Sequence, residues 1–163
     1  MISEDVSEII KRIEGDGVSF KDKVILVTGG AGFLGSWVCD VLVRQGAYCI
    51  CLDNLSSGRF ENIAHLMDKD NFRFINHDVS VPIHFGLTHH PNAICVGDIN
   101  KIDIVMHMAS RASPFEFERF PIEIIKSNTL GTMVALDVAK AHNSVFFYTS
   151  TSEVYGNPPP DKV

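Results

Sequence analysis

The stretch Thr28-Gly29-Gly30-Ala31-Gly32-Phe33-Leu34-Gly35 decides the fold, because it lies between two segments of different periodicity. The preceding run, residues 23–28 (KVILVT), is apolar and β-branched, which is typical of a buried strand. The following segment, 33–46, has apolar residues at helical spacing and ends at a glycine, which predicts an amphipathic helix. A strand that turns through closely spaced glycines into a helix is typical of a parallel α/β sheet.

The spacing of these glycines, G-x-x-G-x-x-G, predicts a site for a dinucleotide. Gly29 permits the tight turn out of the strand, Gly32 lets the backbone approach a pyrophosphate, and Gly35 lets the helix pack closely on the sheet. The first helical turn, with Phe33 and Leu34, presents unpaired N–H groups to the anion.

Asp53 supports this prediction, since it lies in the next apolar run, 47–54 (AYCICLDN). A carboxylate at the end of the second strand accepts hydrogen bonds from the adenosine ribose hydroxyls and repels a 2′-phosphate. The pattern therefore favours NAD as the cofactor. Arg59 follows closely and could reach a 2′-phosphate, so NADP stays open as an alternative.

Strand and helix patterns continue to alternate, which predicts a doubly wound, Rossmann-type α/β fold with about five parallel strands buried on both faces. Helices are expected over 60–69 and from Pro121 to about Ala141. Residues 82–101 fit neither period and are expected to form a solvated surface loop. The remaining strands are expected within residues 72–79, 101–110 and 144–152.

The N-terminal residues 1–20 are expected to form a helix and a linker, followed by the dinucleotide-binding domain over 21–163. Ser3 is a suitable N-cap, and Gly15 ends the helical pattern. Its apolar stripe is expected to pack against the domain and consists of Val6, Ile9, Ile10 and Ile13.

Composition narrows the class of protein. The chain has 163 residues, 45% hydrophobic and 21% charged, which suits one globular domain. Its net charge of −6 argues against nucleic acid as a partner. Its apolar runs are too short to span a membrane, and its N-terminus lacks the pattern of a signal peptide, so a cytoplasmic protein is expected.

Neither the cysteines nor the histidines predict a metal site or a disulfide scaffold. The four cysteines contain no C-x-x-C pair, which favours reduced core thiols: Cys39, Cys49, Cys51 and Cys95. No standard zinc spacing connects the candidate ligands of the 82–101 segment, which are His84, His89, His90 and Cys95.

Several further stretches carry a family resemblance: 53–59 (DNLSSGR), 75–79 (INHDV), 107–132 (HMASRASPFEFERFPIEIIKSNTLGT) and 149–158 (TSTSEVYGNP). Together they resemble the extended short-chain dehydrogenase/reductases that modify nucleotide sugars. The combination is most similar to the UDP-glucuronic acid decarboxylases. UDP-glucose 4-epimerases and dTDP-glucose 4,6-dehydratases are close cousins and stay open as alternatives. Arg111 departs from the decarboxylase pattern, which usually has proline there.

The resemblance implies NAD as cofactor and names its contacts. Asp78 and Val79 would flank the adenine, Thr149 and Ser150 would lie beside the nicotinamide ribose, and Asn128 would hold the loop after the fourth strand. The other residues that it assigns to the cofactor, besides the glycine motif, are Asp53, Asn54, Leu55, Ser57, Gly58, Met108, Ala109 and Ser110.

The resemblance also implies the chemistry. Thr151 matches the family's catalytic Ser/Thr, which hydrogen-bonds the C4 oxygen of the sugar, and Glu153 matches an acid of the decarboxylases. In such enzymes NAD oxidises C4 to a ketone, the β-keto acid loses its carboxylate, and hydride returns to C4. Family members commonly form a homodimer through a four-helix bundle, which here would include the 121–141 helix.

The family's proton-transfer pair, Tyr-x-x-x-Lys, is not found in this sequence. The residues four positions after the three tyrosines are Leu52, Ser152 and Pro159. The chain is therefore expected to be the NAD-binding portion of a nucleotide-sugar enzyme, lacking the sugar-binding C-terminal part and inactive alone. A non-catalytic NAD-binding module is the alternative.

Overall fold

The computed structural model describes residues 2–86, 93–97 and 99–157. The helices in the described part are α1 (Ile2–Gly15), α2 (Phe33–Arg44), α3 (Pro114–Phe117), α4 (Pro121–Asn128) and α5 (Leu130–His142). The strands are β1 (Val24–Thr28), β2 (Tyr48–Asp53), β3 (Phe72–Asn76), β4 (Ile83–Phe85), β5 (Ile94–Val96), β6 (Ile104–His107) and β7 (Val145–Tyr148).

Five of these strands form one parallel sheet in the order β3-β2-β1-β6-β7, which confirms the predicted Rossmann-type fold. Alternate residues of β1 face opposite sides of the sheet. Ile25 and Val27 belong to a core on the α2 side, whereas Leu26 belongs to a second core that includes Ala135 of α5. The strand order places β1, and the glycine turn that follows it, at the centre of the sheet.

The predicted N-terminal helix is confirmed as α1, which packs against α2. Val6 of the apolar stripe is fully buried, whereas Ile9 is 37% exposed. No helix in the described part of the chain is both long and apolar enough to cross a membrane. Three of the predicted core cysteines are buried (Cys39, Cys49 and Cys51), but the prediction for Cys95 was wrong, because it lies on the short strand β5 with its side chain exposed.

The single helix predicted over 60–69 is replaced by two 3₁₀ turns, Phe60–Asn62 and Ala64–Leu66. Ile63 and Leu66 are buried in the α2-side core, three residues apart. A spacing of three matches the 3₁₀ repeat, so short 3₁₀ turns place both side chains in the core.

The solvated loop predicted over 82–101 was also wrong. Strands β4 and β5 pair in parallel as a separate two-stranded sheet. Their alternation buries Ile83, Phe85 and Val96 in the α5-side core. Each of these strands has only three residues, which is too few to show an alternating pattern in the sequence. His89 and His90 lie outside the described residues.

The helix predicted from Pro121 to Ala141 is broken at Thr129, between α4 and α5. The Thr129 hydroxyl donates to the Ile125 carbonyl at 2.6 Å, and the Thr132 hydroxyl donates to the Asn128 carbonyl at 2.9 Å. Side-chain hydroxyls that occupy helix carbonyls in this way bend or interrupt a helix.

Burial on both faces was a wrong prediction for β7, which forms one edge of the sheet. Val145 is 67% exposed and Phe147 is 50% exposed, whereas Phe146 packs against the α5-side core. Among the described residues, α5 packs against this strand, and the opposite face, which carries Val145 and Phe147, is left exposed.

Candidate cofactor site

The carboxyl ends of the five parallel strands gather almost all residues that the sequence assigns to a cofactor. Parallel strands end at the same edge of a sheet, and the loops that follow them form the crevice in which doubly wound folds bind ligands. The segments that follow β1, β2, β3, β6 and β7 hold, in that order, residues 29–35, 54–58, 78–79, 108–110 and 149–150, of which 33–35 already belong to α2. Asn128, by contrast, is exposed at the end of α4.

The glycine turn after β1 is tightly packed on its inner side. Gly29 has φ +72°, and a Cβ there would lie 2.8 Å from the Ala109 Cα. A Cβ at Gly35 would lie 2.1 Å from the Gly29 carbonyl oxygen. Gly32 begins α2 with no side chain, so the N–H groups of the first turn stay accessible to an anion.

Gly30 is a structural residue of this turn that sequence analysis missed. A Cβ at Gly30 would lie 2.6 Å from the Cys51 Sγ and 3.1 Å from the Cys39 Sγ. The need for glycine at this position could have been inferred from Cys51 on β2 and Cys39 on α2, because their buried thiols fill the space beneath the turn. Hydrogen bonding to the neighbouring Cys39 thiol, together with burial, raises the pKa of Cys51, so it stays a protonated core residue.

Asp53 connects the glycine turn to the loop after β2. Its Oδ2 accepts a hydrogen bond from the Ala31 N–H at 3.0 Å, and its Oδ1 accepts one from the Leu55 N–H at 2.8 Å. The side chain is 8% exposed, and Gly58 lies so close that a Cβ there would be 3.0 Å from both carboxylate oxygens. Each oxygen keeps a lone pair after these contacts, as a ribose diol requires.

The loops after β2 and β3 are joined by the Asn54 amide, which donates to Asp78 Oδ2 at 3.2 Å. Asp78 Oδ1 accepts from the Ser80 N–H at 2.8 Å and from its hydroxyl at 2.7 Å. Burial alone would raise the pKa of Asp78, but the hydrogen bonds from Ser80 and Asn54 outweigh it and hold the pKa below its usual value. Asp78 is therefore an ionised acceptor, as contact with an adenine amine requires.

A chain of hydrogen bonds fixes the loop after β6. The Thr28 hydroxyl oxygen accepts from the N–H groups of Met108 and Ala109, both at 3.2 Å. Because both of its lone pairs are used, Thr28 donates its proton to His107 Nδ1, 2.8 Å away. His107 then carries its proton on Nε2 and donates to the Thr132 hydroxyl at 3.1 Å.

This arrangement requires a neutral His107, and burial supplies it. The side chain is 2% exposed, and desolvation lowers the pKa of His107 to about 4. The sequence assigned no separate role to His107. The signal for its role is the register of β1 and β6, which places Thr28 directly beside His107.

Arg111 joins two loops that are distant in sequence. Its guanidinium forms an ion pair with Glu116, lies 4.4 Å from the centroid of the Phe120 ring, and donates to the Ser56 carbonyl at 2.8 Å. Its side chain is only 11% exposed. Ser56 belongs to the loop after β2, so this cation holds that loop against the segment after β6.

The predicted catalytic pair follows β7. The Thr151 hydroxyl donates to Glu153 Oε2, and both residues are exposed at the start of a 3₁₀ turn, Ser152–Tyr155. The preceding Thr149 donates from its hydroxyl to the His107 carbonyl at 3.2 Å. The chain just before the pair is therefore anchored to the end of β6, and two strands, β1 and β6, separate β7 from β2, which ends at Asp53.

Residues 25–163 match the family described as the NAD dependent epimerase/dehydratase family. The chain belongs to this family. The predicted family and the predicted cofactor, NAD, are thereby confirmed.

Individual members of the family give a finer comparison. The chain is 39% identical over 142 residues to UDP-glucuronic acid decarboxylase 1 of Arabidopsis thaliana, an alignment that covers 87% of this chain and 29% of that protein. UDP-glucuronic acid decarboxylase 1 of Danio rerio gives the same identity and length, with 86% and 30% covered. The chain thus spans less than a third of the length of these curated relatives.

Solved structures agree on the fold of the family. The crystal structure of a UDP-glucose 4-epimerase with UDP-glucose from Thermotoga maritima superposes with a TM-score of 0.61 and is 30% identical to this chain. The superposition covers 83% of this chain and 40% of that one.

The residues present fit NAD, the cofactor of the family. The start of α2, where the N-cap residue Gly32 has no side chain, offers N–H groups for a pyrophosphate, and Asp53 offers two oriented oxygens for a ribose diol. Asp78 offers an ionised acceptor on the adenine side of the crevice. Sequence analysis identified these three features, and it missed Thr28, His107, Thr132 and Arg111, which hold the surrounding loops in place.

Proposed function

We propose that this chain is the NAD-binding portion of a UDP-glucuronic acid decarboxylase, with residues 1–20 as a packed helix and linker and 21–163 as the cofactor domain. The observation that carries the proposal is the Thr151–Glu153 pair, positioned directly after the last strand of the sheet. The identity to relatives named UDP-glucuronic acid decarboxylase supports the choice of reaction.

The cofactor lies, in this proposal, across the strand ends from Asp78 to Thr149. Asp53 holds the adenosine ribose, with the backbone of Asn54, Leu55, Ser57 and Gly58 around it. The pyrophosphate contacts the N–H groups of Phe33 and Leu34 beyond Gly32.

The nicotinamide half contacts the loop after β6, at Met108, Ala109 and Ser110, and the residues after β7, Thr149 and Ser150. Asn128 supports this half through its carbonyl, which accepts from Thr132 and so ends the His107 chain.

When bound, NAD would supply the redox chemistry at C4 of the sugar, first as hydride acceptor and then as hydride donor. Thr151 is proposed to hold the C4 oxygen by a hydrogen bond, so that C4 faces the cofactor. Oxidation at C4 places a carbonyl β to the C6 carboxylate. The C5–C6 bond would then break and CO₂ would leave. The electron pair of that bond would be held by the C4 carbonyl as an enolate until C5 takes up a proton. Glu153, which accepts from Thr151, orients that hydroxyl.

The 163 residues contain no Tyr-x-x-x-Lys pair, so we propose that they do not turn over a nucleotide sugar by themselves. In the family this pair moves the proton at the sugar hydroxyl, since a nearby ammonium lowers the pKa of the tyrosine. The chain is expected to bind NAD without consuming substrate.

The test compares this chain with a chimera that joins residues 1–155 to the following region of the Danio rerio relative. Each protein is incubated with NAD and UDP-glucuronate labelled at the carboxyl carbon. We expect the chimera to release labelled CO₂ and form UDP-xylose, and the chain alone to bind NAD without product. Thr151→Val and Glu153→Gln in the chimera should lower kcat, the first by about 10²-fold or more, whereas Glu118→Gln is a control at an exposed residue.

Other outcomes favour the alternatives. Conversion of UDP-glucuronate to UDP-galacturonate without CO₂ would indicate an epimerase, which the likeness to the Thermotoga maritima structure supports as second candidate. Dehydration of dTDP-glucose would indicate a 4,6-dehydratase. A chimera that binds NAD and changes none of these sugars would favour a non-catalytic NAD-binding module, and turnover by the chain alone would contradict its proposed incompleteness.

A homodimer through α4 and α5 is the proposed assembly. Exposed apolar side chains follow one another along these helices and include Ile122 (58%), Ile125 (59%) and Met133 (61%). Light scattering after size exclusion should give twice the chain mass, and Ile125→Glu should convert the dimer to a monomer. A monomer for the unaltered chain would contradict this assembly.

A further inference from the structure

Arg111 is held by three partners, of which two are local and one is distant. Glu116 and Phe120 belong to the same segment as Arg111, five and nine residues further along the chain. Ser56 is 55 residues away, and its carbonyl accepts from Arg111 Nη2 at 2.8 Å. Glu116 and Phe120 orient the guanidinium. The guanidinium in turn links their segment to the loop that contains Ser56.

The sheet order shows what this contact crosses. Ser56 follows β2 and Arg111 follows β6, and these strands lie on either side of β1. The loop between them is the glycine turn that follows β1. The bridge from Arg111 to Ser56 therefore spans the same interval of strand ends that a dinucleotide must cross, from the ribose side at Asp53 to the loop after β6.

The loop that contains Ser56 depends on such ties. Leu55 has a left-handed backbone with φ +56°, which is unfavourable for a residue with a Cβ. Within the loop, the Leu55 N–H bonds to Asp53 and the Ser56 N–H bonds to Asn54. Arg111 adds a charged hydrogen bond from outside the loop, and it keeps further donors after its contacts with Glu116 and Ser56.

The geometry points to Arg111 as a positioning residue of the cofactor site, a clasp that holds the loop at residues 54–58 closed over bound NAD. The clasp must open for NAD to leave, so Arg111 sets the rate of cofactor release. This inference rests on the proposed placement of NAD along the strand ends.

Arginine suits this task better than lysine. Its planar fork donates in two directions while its face stacks on an aromatic ring, and this geometry uses Glu116, Ser56 and Phe120 together. A lysine has the same charge on a compact ammonium, which cannot satisfy all three partners. The Arg111→Lys variant therefore separates the effect of the bridge from the effect of charge.

The test measures NADH binding to the full chain by nicotinamide fluorescence, with release rates from stopped-flow displacement by excess NAD. We expect Arg111→Gln and Arg111→Lys to raise the NADH dissociation constant about tenfold, since a charged hydrogen bond commonly contributes a factor of that size. The change should lie mainly in a faster release rate. Arg119→Gln, at an exposed residue of the same segment, should stay within twofold of the unaltered chain.

Hydrogen exchange of the chain without NADH gives a second measurement that does not depend on cofactor. The amides of Leu55 and Ser56 should exchange faster in Arg111→Gln, whereas those of β1 should not change. A variant that is merely less stable would instead exchange faster throughout and bind a smaller fraction of NADH with an unchanged release rate, and that result would overturn the inference.

The remaining outcomes also decide the question. Unchanged release from both Arg111 variants, wild-type release from Arg111→Lys, or equal loss in Arg119→Gln would overturn the clasp and leave the proposed function intact. Failure of the unaltered chain to bind NADH would overturn both. Faster release in the two Arg111 variants, with the control unchanged, would establish the clasp.

Discussion

Substitution of Gly35 by alanine tests the glycine turn most directly. The added Cβ would lie 2.1 Å from the Gly29 carbonyl oxygen, 2.8 Å from the Gly30 Cα and 2.9 Å from the Gly29 carbonyl carbon. All three atoms belong to the backbone, so rotation of a side chain cannot relieve the contact. Ordinary van der Waals contact begins near 3.4 Å, and the turn must therefore move by more than 1 Å.

That movement would break the hydrogen bonds that hold the turn. The Gly29 N–H donates to the Leu52 carbonyl at 2.8 Å, and the Gly32 N–H donates to the Gly29 carbonyl at 3.1 Å. Each bond contributes about 1 kcal/mol, and overpacking of a filled site costs about 1–3 kcal/mol. We expect Gly35→Ala to lower the free energy of unfolding by about 3–5 kcal/mol and to weaken NAD binding in whatever protein still folds.

Urea unfolding followed by circular dichroism measures the first effect, and NADH fluorescence titration measures the second. Gly15→Ala is the matched control, because its Cβ would meet no atom within 4 Å and its φ is not positive. We expect that control to match or slightly exceed the unaltered chain in stability. If Gly35→Ala unfolds within 0.5 kcal/mol of the unaltered chain and binds NADH equally well, the close packing of helix on turn is refuted.

Three further predictions concern single groups. Asp53→Asn should weaken NAD binding about tenfold. It should also reduce the preference for NAD over NADP, because the neutral amide no longer repels a 2′-phosphate. Competitive titration of the two cofactors measures both effects. The pKa of His107 is about 4 in the folded chain, below the value of 6.5 expected in the unfolded chain. The neutral imidazole therefore contributes its full stabilisation of the fold above pH 6.5, and this contribution is lost as the pH falls through 4. The difference in unfolding free energy between the unaltered chain and His107→Gln should change by about 3 kcal/mol over that range, and parallel curves would contradict this. Cys95 should react with a thiol reagent in the native chain, whereas the three buried cysteines should react only after denaturation. Mass spectrometry can count the modified cysteines in each state.

The parts of the site that lie close together in sequence could be predicted from it. Gly29, Gly32 and Gly35 belong to one turn, and Asp53 ends the following strand, so local pattern and spacing determine where they lie. The same holds for β1 and β2, which are continuous apolar runs, and for α2, whose apolar residues repeat at helical spacing. These elements were predicted because each one depends on its own residues.

The mistaken predictions concern elements whose structure depends on a neighbour. β4 and β5 are too short to show a period, and they form because each pairs with the other and packs on the α5-side core. The helix break at Thr129 is a local exception, since the hydroxyls of Thr129 and Thr132 bond to carbonyls only one turn back. β7 has an apolar run like that of a central strand, but burial also requires a second layer, which a strand's own sequence does not reveal.

The least predictable contacts are those of Thr28 and Arg111 with residues distant in sequence, and both sets converge on the end of β6 and the loop after it. Thr28 fixes the start of that loop through His107 and the N–H groups of Met108 and Ala109, whereas Arg111 ties its continuation to Ser56. The partners are 79 to 81 residues apart in the first case and 55 in the second. The loop after β6 is held from β1 on one side and from the loop after β2 on the other, so in the proposed placement of NAD the nicotinamide side of the crevice is positioned by the adenosine side. A change on one side should therefore alter binding of the whole dinucleotide, and not of its nearer half alone.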